Sequence, residues 1–106
     1  MAKYLIEASY TAEGLRGLAK DKASGRKAAL EAALKGVGGK LDALYYAFGG
    51  ADAYALCDCP DNLTAAALSL AASSSGLVKV TTIALLTVEE MDQALSKQVG
   101  YRAPGA

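Results

Sequence analysis

Histidine is absent from the 106 residues, and so is tryptophan. The first absence removes the side chain that most often serves as a general base near neutral pH and as a zinc or haem ligand. It also excludes Ser–His and Cys–His nucleophile pairs. Cysteine occurs twice, as Cys57 and Cys59. On a strand, side chains two apart share a face, which is poor geometry for a disulfide between them. Two thiols also fall short of a tetrahedral metal site. The pair is therefore expected to pack as small hydrophobes, in a reducing cytoplasm. Net charge is zero, so nucleic acid is not an expected partner. No apolar run approaches the roughly 18 residues of a membrane span. The strand-like stretch from Lys3 to Tyr10 leaves no expected leader peptide. Phosphate-binding fingerprints are missing too, because Gly36, Gly38 and Gly39 precede a strand and not a helix. No cofactor is expected.

What the chain does have is a high apolar fraction, 53% against 21% charged. Much of it is alanine, which buries little area per residue. One domain of this length supports a single core, so any large pocket is expected at an interface. The excess of apolar residues implies surface that a partner covers. Charge is unevenly divided: residues 1–40 hold eight basic and four acidic side chains, residues 41–106 three and seven. That division allows an anion site on a basic helix, or charge matching between subunits.

Residues 2–10 alternate as a half-buried strand, with Tyr4, Ile6, Ala8 and Tyr10 on one face and Lys3, Leu5, Glu7 and Ser9 on the other. Thr11 and Ser24 are candidate caps for two helical pieces, the first weakened by Gly14 and Gly17. Lys40 to Phe48 and Asp52 to Cys59 read as a hairpin about Gly49-Gly50. Pro60-Asp61 opens a helix whose expected buried stripe is Leu63, Ala66, Ala67 and Leu70. Leu77 to Leu86 is a fourth strand, and Thr87-Val88-Glu89-Glu90 is a capping-box pattern for a last helix. The order predicts an α+β, ferredoxin-like βαββαβ sandwich with a C-terminal helix: one domain over residues 1–98 and a flexible tail over 99–106. Two helices cannot cover Leu5, Leu44, Tyr46, Phe48, Tyr54 and Leu56 together. A second copy packed sheet against sheet is expected to cover them, giving a homodimer.

Several segments, in this order, resemble the GYD-domain family, which is similar to the dimeric α/β-barrel superfamily. They are Tyr10-Thr11-Ala12-Glu13-Gly14, Gly38-Gly39-Lys40-Leu41, Tyr45, Gly49, Pro60-Asp61, Val80-Thr81-Thr82 and Thr87 to Met91. The family's signature of glycine, any residue, tyrosine and aspartate stands here as Gly49-Gly50-Ala51-Asp52. Its tyrosine is replaced by Ala51, with Tyr54 two residues beyond Asp52 on the same strand face. The resemblance implies a ferredoxin-like fold and a homo-oligomer, most simply a dimeric α/β barrel. It implies no established reaction.

Asp52, beside a glycine turn and several tyrosines, is the candidate acid or base, with Tyr54 beside it. The plainer reading is a turn aspartate accepting backbone amides. Glu7, Asp42 and Tyr46 are candidate ligand-binding residues if their faces line a cavity between subunits. There Glu7, Asp42 and Asp52 would form an acidic cluster with Tyr46 and Tyr54. Glu7 and Asp42 are read on faces opposite Tyr4 and Tyr45, or as partners of Lys3 and Lys40. Arg16, Lys20, Lys22, Arg26 and Lys27 are candidate ligands for a phosphate or carboxylate, with Arg16 and Lys20 on one helix face. Three functions follow: an oligomeric module that assembles or binds a small molecule, a cofactor-independent isomerase or monooxygenase with a pocket around Asp52, and a regulatory anion-binding protein.

Overall fold

Alternation of large apolar and polar side chains makes residues 2–10 a strand, and the same rule makes three more. In the computed structural model, which describes residues 1–106, the order is β1 (Ala2–Tyr10), α1 (Ala12–Gly36), β2 (Lys40–Tyr46), β3 (Ala53–Cys59), α2 (Asn62–Ser74), β4 (Val78–Leu85) and α3 (Val88–Ser96). The four strands form one antiparallel sheet in the order β2-β3-β1-β4, the ferredoxin-like arrangement. No helix is long and apolar enough to cross a membrane.

α1 is two helices joined at a kink, as the weak glycine-bearing first half implies. The break falls at Lys22, with φ 66° and ψ 164°. That region of backbone space is almost reserved for glycine and costs a lysine on the order of 1–3 kcal/mol. Thr11 caps the first half by accepting the Gly14 amide at 3.1 Å. Gly14 is obligatory there: a Cβ would stand 1.9 Å from the Leu77 carbonyl oxygen. The same oxygen accepts the Thr11 amide at 2.9 Å and the Thr11 hydroxyl at 3.2 Å. This three-way meeting docks the start of α1 on the entry to β4.

Both helices lie on one sheet face, over a core of Tyr4, Leu34, Cys57, Cys59 and Ala65. Asp61 caps α2 through the Thr64 amide at 2.8 Å, which holds its carboxyl below the usual range. The Tyr4 hydroxyl reaches the Asn62 side chain, and Ser69 bonds Thr82. These bonds fix the rotation of α2 and correct its expected stripe. Ala65 is buried, with Leu68, Ser69 and Ala72 turned to the sheet, while Leu63 and Leu70 are exposed. The outer face of α2 is thus also apolar, and the helix carries no charge.

β2 contains a bulge between Leu41 and Ala43. The extra residue shifts the alternation, so Leu44 and Tyr46 face the helices and Tyr45 pairs with Tyr54 on the open face. Asp42 accordingly lies on the same face as Tyr45, not opposite it. Of the six residues expected to need cover together, Leu44 and Tyr46 are under the helices. Leu5, Tyr54 and Leu56 lie on the open face, and Phe48 projects from the turn.

α3 carries the expected capping box: Thr87 Oγ1 accepts the Glu90 amide at 3.1 Å, and Glu90 Oε1 accepts the Thr87 amide at 2.8 Å. It packs extensively on no other helix or strand, and neither do α1 and α2 on each other. Only nine residues of the chain are buried.

Candidate functional site

Because α1 and α2 stand apart, a cleft opens between them down to the sheet. Its inner part is a cavity of about 110 Å³, and twelve of its fourteen lining residues are hydrophobic. Ile6, Ala53, Ala55 and Val80 form the floor from β1, β3 and β4, while Leu30 and Leu68 form the walls. Alanine at the β3 positions is what leaves the space, since larger side chains there would fill it. Polar groups gather at one end: Tyr10, Tyr46 and Arg26, with Ser69 on the α2 side. Burial, then the neighbouring Tyr10 hydroxyl, push the Tyr46 phenol up to about 12, against an opposing pull from Arg26. Tyr46 therefore stays a neutral phenol, able to donate a hydrogen bond, throughout the neutral range, beside a permanent cation. Arg26 reaches the cleft because it begins the turn after the Lys22 kink, with Asp21 3.8 Å from its guanidinium. Above the cavity the cleft widens to a groove of about 390 Å³, bordered by Gly14, Gly17, Ala33 and Ala71.

The residues singled out from the sequence are scattered over this framework. Asp52 accepts the Tyr10 amide on Oδ2 at 2.8 Å, while its own amide donates to the Ala8 carbonyl at 2.8 Å. It ties the end of β1 to the β2–β3 turn, and its amide partner is 42 residues away in sequence. Glu7 and Tyr54 do meet, as register partners on the open face, where they border a polar depression with Lys79 and Thr81. Asp42 sits at the other end of that face: Lys3 Nζ lies 2.6 Å from Asp42 and 3.0 Å from Asp58. Those carboxylates raise the Lys3 ammonium above its ordinary value. Tyr46 is on the opposite side of the sheet, so the expected cluster of Glu7, Asp42, Asp52, Tyr46 and Tyr54 is not assembled within one chain. The bulge in β2 and the commitment of Asp52 to backbone are the reasons. Arg16 and Lys20 are exposed and border neither the cavity nor the groove. The basic residue in the cleft is Arg26, one of the basic side chains of α1 singled out as a possible anion ligand.

Cys57 and Cys59 are free and buried in the core. Burial first, then Cys59, push the Cys57 thiol up to about 12. No group of three or more acidic or thiol ligands is placed to hold a metal ion. Ala51, where the family signature has tyrosine, is itself buried.

The GYD-domain family model matches residues 4–95, and the chain belongs to that family. No curated protein and no solved structure shows significant similarity to it.

Proposed function

From membership of the GYD-domain family, we propose that this protein is a small-molecule-binding subunit of a homo-oligomer. The ligand would be a compact aromatic or branched carboxylate held between the sheet and the helices. The observation that carries this reading is the polarity of the inner cavity: an apolar chamber with Arg26 and the Tyr46 phenol at one end. Ligand sites have this composition, mostly apolar with few convergent polar groups. A cavity of about 110 Å³ is on the scale of one that admits a benzene ring. A carboxylate at the polar end would accept from Tyr46 and pair with Arg26, a charge-assisted contact worth more than a neutral one. The enzyme reading centred on Asp52 has less support, since that carboxylate is engaged with the Tyr10 amide.

Association of copies rests on area. The chain exposes 7409 Å², whereas a compact monomer of 10.8 kDa exposes about 5,500 Å². The excess of about 1,900 Å² exceeds the roughly 800 Å² per partner that a standard interface covers. The open sheet face, with Leu5, Leu56 and Ile83 at its centre, is one surface for it.

The test is thermal unfolding with benzoate as probe and benzamide as its neutral counterpart. Benzoate at ten times its Kd should add about 1.4 kcal/mol, or several degrees in Tm. Benzamide should do less, and Arg26→Leu should remove the difference between the two. An equal response of wild type and Arg26→Leu to benzoate would refute the site.

A further inference from the structure

We propose that α3 of one copy seats in the groove between α1 and α2 of a second copy. This deepens the homo-oligomer reading and does not depend on the ligand.

α3 is built to be a helix, with its capping box, yet nothing in its own chain covers it. Val88, Met91 and Leu95, one stripe at i, i+3 and i+7, are 76%, 50% and 71% exposed. A nine-residue helix is marginal on its own in water. Its stability has to come from an apolar surface against which that stripe packs. The groove is such a surface: about 390 Å³, between two helices that stand apart, edged by Gly17, Ala33 and Ala71. Small residues let another helix approach closely, the helix-in-groove mode of recognition.

Charge agrees with this pairing. α3 carries Glu89, Glu90 and Asp92 and no basic residue, while α1 carries six basic side chains against three acidic ones, Arg26 and Asp21 among them lining the groove, and α2 has no charge. The opposite balances of the two parts of the chain are thereby brought together across copies. Area agrees as well, since the excess surface is more than one partner interface needs.

The chain's own α3 is badly placed for the groove. It follows Leu85, which pairs with Lys3, whereas the groove opens toward Tyr10, Leu77 and Val78 at the other end of β4. A nine-residue helix spans about 13 Å, half of the roughly 26 Å covered by an eight-residue strand. Joined through only Leu86 and Thr87, it cannot run back along the groove to that end. A second copy, approaching from outside, has no such limit.

The experiment mixes two full-length variants, Ala71→Cys and Met91→Cys, at micromolar concentration under mild oxidation. The native thiols are buried and do not compete. A disulfide-linked heterodimer, formed in the mixture and not by either variant alone, is the expected result. Sedimentation of the Met91→Glu/Leu95→Glu variant, altered only at exposed positions, should show association weakened at least tenfold. Cross-linking confined to a single chain carrying both cysteines would place α3 on its own groove and overturn the inference. An oligomer that neither cross-links nor responds to the double glutamate variant would overturn it while leaving association intact. A wild-type monomer at 100-fold higher concentration, about 100 μM, would overturn both.

Discussion

Two glycines three residues apart on α1 should respond to the same substitution with opposite signs. At Gly17 a Cβ meets nothing within 4 Å. Alanine there should stabilise by about 0.5–1 kcal/mol, the ordinary difference in helix propensity. At Gly14 the new Cβ stands 1.9 Å from the Leu77 carbonyl oxygen. Backbone on both sides must separate by more than 1 Å, by rough van der Waals reckoning, and overpacking of this kind costs about 1–3 kcal/mol. The separation also weakens the two bonds that Thr11 donates to the same oxygen, at 2.9 and 3.2 Å, each worth about 1 kcal/mol. Setting the helix-propensity gain against these losses leaves a net destabilisation of about 2–4 kcal/mol for Gly14→Ala. Urea titration followed by circular dichroism is the assay, with the shift read in the midpoint at constant m. If Gly14→Ala lies within 0.5 kcal/mol of wild type, or if both variants move in the same direction, the docking role given to Gly14 is wrong.

Alkaline pH should destabilise the protein through groups whose burial favours the neutral form. The Cys57 thiol is held up to about 12, with Cys59 raised too. Both are neutral in the folded chain, so their contribution is complete below the unfolded thiol value near 9. It is lost as pH climbs from there toward 12. Tm should hold steady from pH 6.5 to 8.5 and then fall, and Cys57→Ala should flatten that fall. The same thiol should resist a disulfide reagent at pH 8 until urea unfolds the chain; labelling in the native state would contradict its placement. Asp52→Ala, which strands the Tyr10 amide, should cost about 1.5–3 kcal/mol by urea titration, and Asp52→Asn about half of that. An unchanged midpoint for Asp52→Ala would remove its tethering role.

Element order was legible in the sequence because strands and helices here differ in period and because glycines punctuate them. The two halves of α1 were legible as well, from Gly14, Gly17 and Ser24-Gly25. The facing of α2 was not. Alanines at 65, 66, 67, 71 and 72 make every face apolar, so periodicity does not choose between Leu63/Leu70 and Leu68. The choice comes from Asn62 and Ser69, whose partners Tyr4 and Thr82 lie on strands. The bulge at Asp42 was equally hidden, because a single inserted residue leaves no compositional mark while reversing the parity of everything after it. That reversal carries Tyr46 into the cleft. For Asp52 the residue type and the turn were visible, but its amide partner, Tyr10, ends the neighbouring strand and lies 42 residues away in the sequence.

The bulge has a consequence for how the chain avoids uncontrolled growth. β2 is an edge strand, and an uninterrupted edge offers unpaired amides and carbonyls to any passing strand. Here the edge is broken two residues after it begins, and Lys40 stands at its start. A foreign strand would find only the short stretch from Ala43 to Tyr46 in regular register. Strand-by-strand growth at the β2 edge is thereby kept short, while β4, the other edge of the sheet, runs unbroken from Val78 to Leu85.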